Sequence, residues 1–137
     1  MADEVKKTEA ILAVEDSKPN RLALVTMLKQ YGYPVLEAED GEQALGILEE
    51  PGEYKIVAVF SDLMMPKMDG LELLTMVRML GDYHTLPFVF ISAVCDGDQV
   101  MRAMEMNIKD YLMKPVTVDK VREKMFQIFP HLETSAA

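Results

Sequence analysis

The sequence predicts an α/β fold, a doubly wound parallel sheet with helices on both faces. Three observations carry that prediction. Five short apolar runs alternate strictly with five segments of helical period along the chain. The runs are apolar at nearly every position, which is how strands covered on both faces read. The connections between them are short, so each helix must cross back over the sheet to start a parallel strand.

Taken in order, residues 1–9 are polar and are expected to form an N-terminal extension. Ile11-Leu12-Ala13-Val14 reads as the first strand and stops at Glu15-Asp16. Asp16 and Ser17 suit a helix N-cap, Pro19 suits a first turn, and Leu22, Leu24, Val25 and Leu28 supply an apolar face up to Gly32. Pro34–Ala38 reads as the second strand. Asp40, with Gln43 three residues on, makes a capping-box-like start for a helix carrying Ala44, Leu45 and Leu48, which Pro51-Gly52 ends.

Ile56–Phe60 is a continuous apolar run, followed by Ser61 and one carboxylate, Asp62, at its end. Pro66 and Asp69-Gly70 then force a loop. The third helix follows with Leu73, Leu74, Val77 and Leu80 inward and Gly81 as its stop. Phe88–Ile91 is the fourth strand, ending at Ser92. Asp96-Gly97 opens a helix through Val100, Met101 and Met104, and Asn107 suits a left-handed position at its end. Tyr111-Leu112-Met113 is the last strand, ending at Lys114-Pro115. Thr117 caps a final helix with Val118, Val121, Met125 and Ile128 on one face, and Pro130 closes it. The chain thus divides into the extension (1–9), one domain (10–131) and a short tail (132–137).

With 137 residues the chain is one domain, large enough for a real core. Its formal net charge of −9 disfavours DNA and anionic membranes, which need clustered Lys and Arg, and suits a bound cation. The single cysteine, Cys95, excludes an internal disulfide and fits a reducing compartment. Only two histidines, His84 and His131, are present, so zinc-ligand spacing is absent. The N-terminal residues show no apolar core of a signal peptide, and no run reaches membrane-spanning length. The expectation is a cytoplasmic protein. The twelve methionines are expected mainly as core and gap filling, with a partner surface on the fourth helix as the alternative.

Four of the strands end in groups that can act together: Glu15-Asp16, Asp62, Ser92 and Lys114. In a parallel sheet all strand carboxyl ends lie on one edge, where ligands bind in open α/β folds. An acid pair, a single acid, a hydroxyl and a cation would therefore converge there. Each also has a plain reading, as a helix start, a strand end, a turn cap or a solvated lysine.

The segments Asp62–Gly70 and Asp110–Pro115, with the acid pair and Ser92-Ala93, resemble the receiver domain of two-component response regulators, a CheY-like family, over roughly residues 10–130. The resemblance implies a flavodoxin-like (βα)5 sheet of order 2-1-3-4-5. It implies that Asp62 accepts a phosphoryl group from a phosphohistidine. Mg²⁺, which Mn²⁺ can replace, would be held by Asp16, Asp62 and the Met64 backbone carbonyl, with Glu15 acting through water. Lys114 and Ser92 would stabilise the phosphoryl group, and Ser92 and Tyr111 would carry the switch. The family usually holds the bond at Lys114-Pro115 cis.

The resemblance further implies a histidine kinase or histidine phosphotransfer protein as donor. It implies a downstream protein docking on the face formed by the fourth helix, last strand and last helix, with the chain a monomer or weak dimer. Met64 and Val94 fall where the family flanks the path of the attacking water. Both are apolar, so slow self-dephosphorylation is expected. The chain would be a signalling switch, a stand-alone receiver or part of a longer regulator or hybrid kinase, and not an enzyme in the ordinary sense. A haloacid-dehalogenase-type phosphatase uses similar groups, but its nucleophile follows the first strand with a second Asp two residues on, and Glu15-Asp16-Ser17-Lys18 does not fit.

Overall fold

The computed structural model describes residues 6–93, 97–105 and 110–135. Its elements run β1 (Thr8–Val14), α1 (Lys18–Lys29), β2 (Val35–Ala38), α2 (Gly41–Glu49), β3 (Tyr54–Asp62), α3 (Gly70–Arg78), β4 (Phe88–Ser92), α4 (Gly97–Glu105), β5 (Tyr111–Met113), α5 (Val118–Ile128) and α6 (Pro130–Ser135). The five strands form one parallel sheet of order β2-β1-β3-β4-β5, the flavodoxin-like arrangement expected.

Side chains alternate across a strand, so an apolar strand feeds two cores. On one face Ala10, Leu12, Val14, Phe88 and Phe90 pack with Leu48 of α2, Leu73, Leu74 and Val77 of α3, and Ala103 of α4. On the other face Ile11, Ala13, Val89, Ile91 and Leu112 pack with Leu24, Val25 and Leu28 of α1 and Val121 and Met125 of α5.

The alternation breaks once, in β3. Ala10 pairs with Ile56 but Ile11 pairs with Ala58, leaving Val57 as an extra residue. Such a bulge resets which face the following residues occupy. Ile56 therefore joins the α2–α4 core while Phe60 joins the α1/α5 core. Asp62, two residues beyond Phe60, follows it.

The caps fall where the side chains allow. Ser17, Asp40, Asp69 and Thr117 cap α1, α2, α3 and α5, each accepting a hydrogen bond from a backbone N–H of the first turn. At α3 the cap is reciprocal: Asp69 accepts from the Glu72 N–H, and the Glu72 carboxylate accepts from the Asp69 N–H.

Several expectations change. β1 begins at Thr8 rather than Ile11, because Thr8 and Glu9 pair with Tyr54 and Lys55. Leu22 and Val118, expected inward, are 48% and 47% exposed. The inward stripe of α1 is Arg21, Leu24, Val25 and Leu28. α3 stops at Arg78, before Gly81. Met76 and Met101 are exposed, not core, because they sit on the outer faces of α3 and α4, and Met79, which caps the end of α3, is exposed as well. Pro130 starts a helix instead of ending the fold: its ring suits a first helical position, and Leu132 packs back on the α1/α5 side. The expectations for Val94, Cys95, Asp96, Met106 and Asn107, and the side chain of Met104, fall outside the described residues. Among the described residues no helix is long and apolar enough to cross a membrane.

Candidate functional site at the carboxyl edge of the sheet

The acid pair, Asp62, Ser92 and Lys114 all lie at the carboxyl edge of the sheet, as the parallel topology demands. The backbone ties the strand ends together: Glu15 N–H to Ala38, Leu63 N–H to Ile91 and Lys114 N–H to Ser92, at 3.1, 3.0 and 2.8 Å. The Lys114–Pro115 peptide is cis.

Glu15, Asp62 and Lys114 come closest. Lys114 Nζ lies 3.1 Å from Asp62 Oδ2 and 3.9 Å from Glu15 Oε1. Carboxylate oxygens of Glu15, Asp16 and Asp62 all lie within 4.8 Å of one another, with Asp16 exposed and the other two buried. Asp62 Oδ1 is buried and finds no hydrogen-bond donor among the described residues. A buried carboxylate oxygen without a donor is costly unless a cation serves it.

The electrostatics agree. The Glu15 carboxyl is pushed up to about 7, first by burial, then by its hydrogen bond with Asp16 and the negative charge of Asp62; the Ser17 N–H acts the other way. Three crowded carboxyl groups with hard oxygen donors fit a divalent cation such as Mg²⁺. Lys114 supplies a single positive charge to this cluster.

Ser92 is fully buried, and its hydroxyl donates to the Met113 sulfur at 3.3 Å. Tyr111 is half-buried, with its hydroxyl donating to the Val100 carbonyl of α4 at 3.3 Å. The Met64 side chain is 48% exposed, just beyond Asp62.

Two supports escaped the sequence reading. Arg21 is buried in α1. It donates to the Glu15 carbonyl at 2.9 Å and to Glu37 of β2 at 3.1 Å, which pins the chain at the acid pair. Its signal was a cation three and four residues before Leu24 and Val25, on the apolar stripe. The loop after Asp62 is clamped as well. Lys67 pairs with the Asp40 carboxylate at 3.6 Å and has a positive φ of 66°. A Cβ on Gly41 would come within 2.6 Å of the Met68 carbonyl oxygen, so only glycine lets α2 approach this loop. No local sequence pattern announces either contact.

The response regulator receiver domain model matches residues 11–126. A probable chemotaxis protein CheY of Rhizobium etli is 32% identical over 124 residues, covering 90% of this chain and 94% of that protein. The sensor histidine kinase RcsC of Escherichia coli is 36% identical over 115 residues, 84% of this chain but only 12% of the kinase. A response regulator receiver protein of Pseudomonas putida superposes with a TM-score of 0.76 at 27% identity, over 90% of this chain and 99% of that one. By sequence, fold and the edge on which its acids gather, this chain belongs to the response regulator receiver domains, the CheY-like signalling modules of two-component systems.

Proposed function

We propose that Asp62 is the phosphoacceptor of a phosphorylation-dependent switch. The observation that carries this is its buried carboxylate, with one oxygen on Lys114 and the other without a donor among the described residues, beside two further acids. A carboxylate is ionised at neutral pH and needs no general base to attack. An Asp62 oxygen attacks phosphorus, the P–N bond of a phosphohistidine breaks, and the imidazole leaves with a proton from water.

Asp16, Asp62 and the Met64 carbonyl would hold Mg²⁺, with Glu15 acting through a water, and Mn²⁺ could substitute. When bound, the ion offsets the repulsion between carboxylate and phosphoryl oxygens. Lys114 moves from Asp62 to a phosphoryl oxygen, and the Ser92 hydroxyl donates to another. Positioning and charge stabilisation suffice for phosphoryl transfer. The chain's own chemistry is limited to accepting the group and later losing it to water.

The product carries about two negative charges where there was one. Ser92 turns toward it, Tyr111 follows inward, and the α4-β5-α5 face changes. Met101, Met113 and Val118, all at least 41% exposed, supply apolar contact on that face for a downstream protein. The likeness to RcsC supports a histidine kinase or histidine phosphotransfer protein as donor, in the cytoplasm. A groove of about 450 Å³ beside Glu15 and Lys114, lined by Asn20, Ala23, Leu24 and Met27 of α1, gives such a donor an approach.

Intact mass after incubation with acetyl phosphate and Mg²⁺ tests the reading. One added phosphoryl group is expected, absent in Asp62→Asn and without metal. An adduct that survives Asp62→Asn, or no adduct on the wild-type protein, overturns it.

A further inference from the structure

Ser92 ends β4 and pairs with Met113 of β5. Paired residues of parallel strands project to the same face, so these two side chains are neighbours. The Ser92 hydroxyl donates to the Met113 sulfur at 3.3 Å, while the Lys114 N–H donates to the Ser92 carbonyl at 2.8 Å. β5 therefore holds Ser92 by both its backbone and its hydroxyl. Met113 is itself held at its carbonyl, which accepts from Lys120 Nζ of α5 at 2.9 Å. Tyr111 lies two residues earlier in β5, on the same face of the sheet.

We propose that Met113 is a positioning residue of the switch: its sulfur latches the Ser92 hydroxyl in the resting protein and competes with the phosphoryl group for that proton. The inference rests on Asp62 as phosphoacceptor and adds a residue which that reading does not need. A thioether is a weak acceptor, whereas a hydrogen bond to a phosphoryl oxygen is charge-assisted and roughly twice as strong as a neutral one. The latch is thus strong enough to bias the resting rotamer and weak enough to be released. It also links the ends of β4 and β5 on the Tyr111 face, so release of the hydroxyl is felt where the switch is read out.

The test titrates beryllofluoride, a phosphoryl mimic, with Mg²⁺ into wild type, Met113→Leu, Ser92→Ala and the double variant, with occupancy read by fluorine NMR. Leucine conserves volume and removes only the acceptor. Met113→Leu is expected to bind about threefold to tenfold tighter, one weak hydrogen bond's worth. In the Ser92→Ala background the same substitution is expected to change nothing. Equal effects in both backgrounds, or none in either, overturn the latch while leaving Asp62 as the acceptor. Failure of wild type itself to bind removes the Asp62 reading and the latch with it.

Discussion

Glu15 shows most directly how burial and charge set the character of a single residue. Its carboxyl is raised to about 7, chiefly by burial, with Asp16 and Asp62 adding to the shift. In the unfolded chain it ionises near the ordinary glutamate value, about 4.3. A raised carboxyl pKa means that charging it costs the folded state. Its contribution to stability is therefore intact below about 4.3 and is lost as pH rises through about 7. Metal-free protein is expected to lose stability over this window, and Glu15→Gln to flatten the loss, in denaturant titrations at pH 5 and pH 8. Steeper loss in the variant would contradict the assignment. Met64 argues at the same scale. Its exposed thioether cannot orient a water as an amide can, so Met64→Asn is expected to shorten the lifetime of the phosphorylated protein severalfold, measured by decay of the phosphorylated mass.

The elements matter through what they hold at the edge. α3 starts with a reciprocal cap between Asp69 and Glu72, and the loop from Leu63 to Asp69 hangs between that cap and Asp62. Asp69→Ala is expected to cost about 1 kcal/mol, typical of a lost N-cap, and to lower the melting temperature by about 3–5 °C. Calorimetry checks the first effect, and a parallel Mg²⁺ titration shows whether the loosened loop also weakens cation binding at the proposed acidic cluster. The ends of that loop are tied to each other and its interior is held elsewhere: the Gly70 N–H donates to the Leu63 carbonyl at 2.9 Å, whereas Lys67 and Met68 lean on the start of α2. α2 thereby supports the site without contributing a reacting group.

At the scale of the whole molecule, folding gathers three carboxyl groups at one edge of a chain that already carries a net charge of −9. A cation bound only by the folded state stabilises it by mass action, by about 2.7 kcal/mol at a hundredfold excess over Kd. Mg²⁺ is expected to raise the melting temperature by several degrees, and more at pH 8 than at pH 5, because protons compete for the same oxygens. Chelation should return the metal-free value. A melting temperature indifferent to Mg²⁺ at both pH values would count against the cluster as a metal site.

The sequence by itself determined the element order from β1 to α5, though not α6 beyond it, the parallel sheet, and the edge on which Glu15, Asp16, Asp62, Ser92 and Lys114 would meet. Strand burial, helical period and strand-end polarity are local signals, and a parallel topology turns them into one location. Only the tertiary structure decided the rest. The Val57 bulge is invisible in a run apolar at every position, yet it sets the face that Phe60 and Asp62 share. Arg21 rather than Leu22 turned inward, because Glu37 and the Glu15 carbonyl await it there. The hold of Met113 on Ser92 depends on the pairing of two strands whose members lie 21 residues apart. Such contacts arise from register and packing between distant segments; the local pattern places Arg21 on the apolar stripe of α1 but names none of the partners.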